Sequence, residues 1–198
     1  MKTTSIETPR LTLAPLVEED APELFRYRSD PEISRFQSWA PESVRDALRF
    51  IRKLRNVELD TPGSWYQLAI RLRARGALIG DVGLHFLSAE SRQVELGLTV
   101  SRPYQRRGYG REAARAVLGH LFDTLGKHRV FASVDPRNLP SLALLKGIGM
   151  RQEAHFVRSL WFKGEWADDV VWAMLREEWS SPSARERRGA GSRGKELE

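Results

Sequence analysis

The spacing of apolar residues changes twice along the chain, from a helical period to strict alternation and back again. A short apolar stretch after Pro9 predicts a first strand, and the acidic residues 18–20 favour the start of a helix over 21–28. A second helix is predicted between Pro41 and Leu54, where apolar residues recur every three or four positions.

Three consecutive runs, at 66–72, 78–86 and 94–100, then alternate between apolar and polar residues. Runs of this kind, joined by short turns, predict three antiparallel strands. The helical period returns after Gly108, and a glycine at position 126 marks the end of the predicted helix.

The last third of the chain predicts a strand over 130–134, a helix over 138–148, and a hairpin over 150–179 that turns near Lys163 and Gly164. No internal repeat interrupts this order. The pattern as a whole predicts an α/β (α+β) fold, with one mixed, mostly antiparallel sheet of about seven strands flanked by helices on both faces.

With 198 residues, the chain has enough length for one domain with a sizeable core, which we place at 1–180. The segment 181–198 is polar and rich in Arg, Gly and Ser, so we interpret it as a basic, disordered tail. No apolar run approaches the roughly 20 residues of a membrane span, and the first residues lack an apolar signal segment. We therefore expect a cytoplasmic protein without a membrane partner.

The absence of cysteine excludes disulfides, thiolate metal sites and a cysteine nucleophile. The four histidines show no mutual metal spacing, so we expect no metal and interpret them as structural. A net charge of +6 indicates an anionic partner, either nucleic acid or a phosphate-rich cofactor, unless the basic residues form only solvated faces.

The segment 105–110, Gln-Arg-Arg-Gly-Tyr-Gly, lies between a predicted buried strand and an amphipathic helix. Its two glycines allow the backbone to approach a ligand closely, and the helix start offers unpaired N–H groups. Arg106, Arg107 and Arg111 add positive charge. This combination predicts a pyrophosphate site, with a strand-to-helix turn bearing solvated arginines as the alternative.

The residues Gly108 to Ala113 also satisfy the dinucleotide fingerprint G-x-G-x-x-G/A, with Asp135 as a candidate ribose ligand. A dinucleotide fold places its glycines directly after the first strand, whereas 101–107 intervene here. Such a fold also needs a second βαβ half, for which too few residues remain. The nicotinamide interpretation is therefore the weaker one.

The loop resembles the pyrophosphate motif Q/R-x-x-G-x-G/A of the GNAT acetyltransferase superfamily, with Gln105, Gly108 and Gly110 in the diagnostic places. The resemblance covers about residues 6–179. Further stretches are similar to the RimJ/RimL-type branch, which acetylates protein N-termini, those of ribosomal proteins among them. These stretches are 7–13, 94–98, 138–150 and 174–179.

This resemblance implies direct transfer of acetyl from acetyl-CoA to an amine, with the pantetheine arm in a cleft between the strand ending near Val100 and the strand at 129–135. The implied cofactor-binding residues are Leu98, Thr99, Val100, Gln105, Arg106, Arg107, Gly108, Tyr109, Gly110, Arg111 and Asn138. Asn138 is equally suited to cap the helix that follows it.

An attacking amine must lose a proton, and Glu95 is our candidate base because it lies beside the cleft with polar Gln93 and Thr99 on its face. A solvated strand glutamate is the alternative, and Asp81 and Asp135 are weaker candidates. The family often protonates the thiolate with a tyrosine, but leucine occupies that position, 145, in this chain. Ser141, one helical turn earlier, is therefore our candidate donor, unless it only satisfies the helix backbone.

Two rival functions stay open at this point. A basic nucleic-acid-binding module fits the charge, although no helix has a concentrated arginine face. A CoA-binding regulator without catalytic activity fits Leu145. The acceptor is open between protein N-termini and small amines, and a homodimer is expected only because similar proteins often form one.

Overall fold

A computed structural model describes residues 5–87 and 92–180, so the predicted tail at 181–198 lies outside the described residues. Eight strands form one sheet in the order β1-β2-β3-β4-β5-β6-β8-β7. The strands are β1 (Ile6–Glu7), β2 (Leu11–Pro15), β3 (Ser64–Leu72), β4 (Leu78–Phe86), β5 (Gln93–Val100), β6 (Arg129–Val134), β7 (Arg151–Phe162) and β8 (Glu165–Leu175). The helices are α1 (Ala21–Arg28), α2 (Pro31–Ser34), α3 (Val44–Leu54), α4 (Tyr109–Gly119), α5 (Leu139–Ile148) and α6 (Arg176–Ser180).

The predicted mixed, mostly antiparallel sheet flanked by helices is confirmed. It has eight strands instead of about seven because Ile6–Glu7 pairs with β2 as a short edge strand. The helix that begins after Gly108 keeps its α-helical form only to Gly119 and continues as a π-helical turn over His120–Thr124. Gly126, with a φ of 65°, follows that turn.

Apolar side chains cover both faces of the sheet. On one face, Leu68, Val82 and Leu96 pack in the main core with Val117 and Leu118 of α4. On the other face, Ala69 belongs to a smaller core formed with α1 and α3. Leu68 and Ala69 are neighbours in β3, and their side chains point to opposite faces because successive residues of a strand alternate between the two faces of a sheet.

The central strands separate at one point. β5 and β6 run parallel and pair only over Gln93–Glu95 and Arg129–Phe131. Beyond these residues β5 stays paired with β4 up to Val100, whereas β6 pairs with β8 up to Val134. A cleft therefore opens in the sheet between the carboxyl ends of β5 and β6, where a cleft was expected from the family resemblance.

Close packing beside this cleft depends on a glycine. A Cβ added at Gly80 would lie 2.2 Å from the Thr99 carbonyl oxygen, so only glycine lets β4 approach β5 this closely. At the end of the described chain, Trp179 of α6 is buried and donates its indole N–H to Asp123. No helix of the described segments is both long and apolar enough to cross a lipid bilayer.

Candidate active site

The start of α4 presents backbone N–H groups without helical partners. Gly108 is the N-cap, and its φ of 79° lies in the left-handed region that favours glycine. The Glu112 N–H donates to the Gly108 carbonyl at 3.0 Å, which is the first bond of the helix. The amides of 109–111 precede it, and no side chain caps this end, so these donors are available to an anion.

Three exposed arginines surround these amides, namely Arg106, Arg107 and Arg111. Within the segments that the structure describes, none of the three takes part in an ion pair. Arg10, beside them, is instead paired with Glu112 at 2.6 Å. The helix start therefore combines its partial positive charge with three uncompensated formal charges, which suits a diphosphate.

The segment before β2 braces the loop. The Thr8 hydroxyl donates to Glu112 Oε1 at 2.7 Å, and the Arg10 backbone N–H donates to the same oxygen at 3.0 Å. Arg10 also donates to the Arg107 carbonyl at 3.1 Å and stacks on the Tyr109 ring. Sequence reasoning gave Thr8 and Arg10 no role, because their partner Glu112 lies about a hundred positions away in the chain.

Glu112 is negatively charged in this arrangement. Burial alone would raise the pKa of the carboxyl group. The hydrogen bonds from Thr8 and Arg10 lower this pKa by more than burial raises it, so the pKa ends below its usual value. The carboxylate is thus a fixed anchor that holds the N-terminal segment against the first turn of α4.

Gln105 joins the loop to the end of β5, since its Nε2 donates to the Val100 carbonyl at 2.8 Å. Arg106 follows with a φ of 59°, an unusual conformation for a residue with a side chain, and it turns the chain toward Gly108. Gln105, a residue of the family motif, therefore contacts the protein backbone in this structure. The loop is a rigid link between the cleft and the helix start.

The backbone of β5 offers donors to the cleft. The Ser101 N–H donates to the Ile79 carbonyl of β4 at 2.8 Å, which fixes the alternation of the antiparallel ladder. By this alternation the N–H groups of Leu98 and Val100 point away from β4, toward the side where β6 has diverged. The N–H and C=O groups of Thr99 point in the opposite direction, toward β4.

A cavity of about 440 Å³ continues from the cleft toward α3 and β8. Five of the predicted site residues line it: Glu95, Leu98, Thr99, Asn138 and Ser141. Its far wall is aromatic and includes the stacked rings of Trp39 and Phe50, 4.4 Å apart. Trp161 and Trp166 pack on each other at the exposed outer side of the hairpin, while their neighbours Leu160 and Phe162 line the cavity.

The three candidate bases lie in different environments. Asp81 is completely buried and accepts hydrogen bonds from Tyr27, Arg28 and Gln67, so its oxygens are occupied. Asp135 lines the cavity, but hydrogen bonds from Arg137 hold the pKa of its carboxyl below the usual value. Such an acid is a weak base.

Glu95 also lines the cavity, and its side chain is about a quarter exposed (28%). Its carboxylate lies 3.4 Å from Nδ1 of His85, on the neighbouring strand β4. In contrast to Asp81 and Asp135, the described contacts of its carboxylate include no arginine. Glu95 is thus the carboxylate of the three that is both accessible from the cavity and free of a strong cationic partner.

Asn138 and Ser141 lie at the start of α5. Asn138 is the N-cap, and its side-chain oxygen accepts a hydrogen bond from the Ser141 N–H at 3.3 Å. Both residues line the cavity, as does Leu145 one turn later. The capping role of Asn138 is therefore present, and it leaves the side-chain amide nitrogen at the cavity wall. The described residues contain no group of three or more His, Cys, Asp or Glu placed to hold a metal ion.

A cleft between diverging strands, with an uncapped helix start at one end and a carboxylate-lined cavity at the other, suits an elongated substrate that carries a diphosphate. A model of the acetyltransferase (GNAT) domain matches residues 10–151. The chain therefore belongs to the GNAT acetyltransferase family and is an acyltransferase enzyme. Members of this family use acetyl-CoA.

Individual relatives agree with this assignment. The chain is 31% identical over 178 residues to the uncharacterized N-acetyltransferase YnaD of Bacillus subtilis, covering 88% of this chain and 99% of YnaD. A crystal structure of a GNAT-family acetyltransferase from Bacillus anthracis superposes with a TM-score of 0.80 at 26% identity, covering 88% of this chain and all of the other.

A third relative bears on the RimJ/RimL-type resemblance. The [ribosomal protein uS5]-alanine N-acetyltransferase of Escherichia coli is 29% identical over 85 residues, which is 43% of this chain and 44% of that protein. The suspected branch is consistent with this match. Acetyl transfer is thus favoured over the alternatives of a nucleic-acid-binding module and an inactive regulator.

Proposed function

We propose that the protein binds acetyl-CoA along the cleft between β5 and β6 and transfers the acetyl group to a primary amine, with a protein N-terminus as the first acceptor class. The observation that supports this proposal most strongly is the uncapped start of α4, where 109–111 offer free amides. Beside them lie three exposed arginines that have no ion-pair partner among the described residues. The pyrophosphate binds there, and the pantetheine arm extends into the cleft toward the cavity.

The donor thioester lies against the open edge of β5. The N–H groups of Leu98 and Val100 face this edge, and one of them donates to the thioester carbonyl oxygen. As the amine attacks, this oxygen gains negative charge, which a fixed N–H donor stabilises more than it stabilises the neutral carbonyl. The Asn138 side-chain amide, at the opposite wall, binds the pantetheine arm.

Glu95 accepts the proton of the incoming amine. The amine nitrogen then forms a bond to the acetyl carbon, and the bond from that carbon to sulfur breaks. The nitrogen loses its second proton as the tetrahedral intermediate collapses, and the leaving thiolate takes up a proton. The Ser141 hydroxyl donates a hydrogen bond to the sulfur at this step, since it lines the cavity one turn before Leu145, which stands where the family often has a tyrosine. The products are the acetylated amine and CoA with a free thiol.

A protein N-terminus as acceptor is supported by the similarity to the Escherichia coli relative, which is an N-acetyltransferase for an alanine of ribosomal protein uS5. Small amines are the second acceptor class, and the aromatic wall of the cavity is compatible with an amine carried on an apolar body. A screen of N-terminal peptides and small amines, read by release of the CoA thiol, distinguishes the two classes.

We also propose a homodimer that uses the outer hairpin. β7 is an edge strand, and Val157, Leu160, Trp161 and Trp166 around it expose large apolar surfaces. Such an edge favours pairing with another chain. Light scattering after size-exclusion chromatography should give a dimer mass for the wild type and a monomer mass for Trp161→Lys. A wild-type monomer would contradict this proposal and leave the transferase proposal unaffected.

The transferase proposal is tested by calorimetry with CoA and by the thiol-release assay. Because charge attraction contributes to the binding of the phosphates, the affinity for CoA should be measurable at low salt and decrease at high salt. No binding of CoA under either condition would exclude the proposed function. A nucleic-acid-binding module would instead bind a mixed-sequence duplex with a strong dependence on salt.

A further inference from the structure

Three side chains form a row across the central strands at the cavity. Trp65 of β3 is the direct cross-strand partner of His85 in β4, and His85 is the direct partner of Glu95 in β5. Directly opposite residues of antiparallel strands point to the same face of a sheet. The three side chains therefore lie side by side on the face that carries Asp81 and the cavity.

The contacts within this row are specific. The rings of Trp65 and His85 are stacked almost in parallel, with centroids 4.8 Å apart and an interplanar angle of 8°. His85 Nδ1 lies 3.4 Å from Glu95 Oε2. Trp65 and Glu95 line the cavity on either side of His85.

We infer that His85 is a positioning residue for the base of the transfer reaction. The stack with Trp65 fixes the plane of the imidazole, and its Nδ1–H donates to Glu95 Oε2. This leaves Glu95 Oε1 for the proton of the acceptor amine. His85 acts through Glu95 and does not itself contact the reacting atoms, and the inference rests on the proposed function.

One observation separates this role from ordinary packing. The ring that stacks on Trp65 also directs a nitrogen toward the accessible carboxylate, which packing by itself does not require. The distance of 3.4 Å is long for a hydrogen bond, as is common for catalytic hydrogen bonds in active sites without substrate. The arrangement also gives the partly exposed Trp65 a function, since its indole holds the imidazole in place and lines the cavity.

Two substitutions at the same position test the inference. His85→Phe keeps a flat ring for the stack with Trp65 but removes the donor to Glu95. His85→Asn loses the aromatic stack but keeps an N–H near the position of Nδ1. If His85 positions the base, the Phe variant should lose about tenfold in kcat, a part of the roughly 10²–10⁴-fold effect of a general base, and the Asn variant should lose less.

Both variants should bind CoA with the wild-type affinity, measured by calorimetry, because the helix start of α4 is untouched. In a Glu95→Gln background, His85→Phe should cause no further loss of kcat, since the residue acts through that carboxylate. A Phe variant with wild-type kcat, or an equal loss in both backgrounds, would overturn the inference. A wild-type enzyme without acetyl transfer would instead overturn the proposed function.

If the Phe variant unfolds below the assay temperature, His85→Ala with added imidazole replaces it. Free imidazole can occupy the space beside Trp65 and restore the donor. A concentration-dependent recovery of kcat supports the positioning role, and no recovery at saturating imidazole contradicts it.

Discussion

The two ends of the cleft are built in different ways. The cofactor end, around Gly108, consists mainly of backbone groups: a helix start, the edge of β5 and a loop of continuous sequence. The acceptor end consists of side chains from α1, the segment 36–39, α3, β3, β5, β7 and β8 that meet only in the folded chain. A donor that is shared by related enzymes needs one fixed binding site, whereas the acceptor differs from enzyme to enzyme. The comparison indicates that affinity for the donor and turnover of the acceptor can be changed separately.

The largest effect is expected at the acceptor end. Glu95→Gln removes the proposed base, so kcat should decrease by about 10²–10³-fold while the affinity for CoA stays unchanged. The control is Asp135→Asn, because Asp135 lines the same cavity but is held by Arg137. Steady-state kinetics and calorimetry measure both quantities. Equal losses of kcat in the two variants would show that Glu95 has no special role.

The converse effect is expected at the cofactor end. Gly108→Leu forces a side chain onto a backbone with a φ of 79°, and its Cβ would lie 3.3 Å from the Arg10 guanidinium. The affinity for CoA should fall by roughly a hundredfold, as expected when a helix-start anion site is distorted.

Gly76→Leu provides the matched control. Gly76 has a similar φ of 65°, and a Cβ there meets no atom within 4 Å. The backbone strain is therefore comparable, but Gly76 lies in the turn between β3 and β4 and does not line the cavity. If both variants lost CoA affinity to the same degree, the effect would reflect general destabilisation instead of the helix start.

A smaller effect, on stability, is expected where Thr8 and Arg10 contact Glu112. The folded-state pKa of Glu112 lies below the unfolded value of about 4.3, so its stabilisation is complete above that pH and is lost as the pH falls through the folded-state pKa. Glu112→Gln should lower the free energy of unfolding at pH 7 by about 1–3 kcal/mol. The difference from the wild type should shrink below about pH 4.

Urea unfolding at several pH values measures this difference. Glu23→Gln, which removes a surface ion pair of α1 with Arg26, is the control and should cost less than about 1 kcal/mol. A Glu112→Gln variant as stable as the control at pH 7 would mean that the contacts of Glu112 with Thr8 and Arg10 contribute little to the stability of the fold.

The smallest effects concern single charges. Removal of Arg106, Arg107 or Arg111, each to alanine, should weaken CoA binding by about three- to tenfold at low salt and less at high salt, because exposed charges are screened. Arg45→Ala on α3, also exposed and unpaired among the described residues, should have no effect. Calorimetry at two salt concentrations makes the comparison, and a salt-independent loss would contradict an electrostatic role.

Much of the cofactor end could be predicted from the sequence because its signals are local. Glycines, arginines and a change of hydrophobic period follow one another within 105–113, and the alternation in β3–β5 identified the strands beside it. The brace of Thr8 on Glu112 could not be predicted in this way, since 104 positions separate the two residues.

The geometry of the acceptor end could not be predicted from the sequence, because it depends on strand register. The row of Trp65, His85 and Glu95 exists because β3, β4 and β5 pair in one particular alignment, which no single segment encodes. The sequence interpretation treated His85 as structural because the four histidines show no mutual metal spacing. The two-residue strand β1 and the four-residue helix α2 were also missed, because elements this short have no periodic pattern.

The most direct test is a crystal structure of the protein with CoA. The account predicts that the pyrophosphate accepts hydrogen bonds from the backbone N–H groups of 109–111, with the pantetheine arm between β5 and β6. A diphosphate bound elsewhere, with the start of α4 in contact only with water, would contradict it.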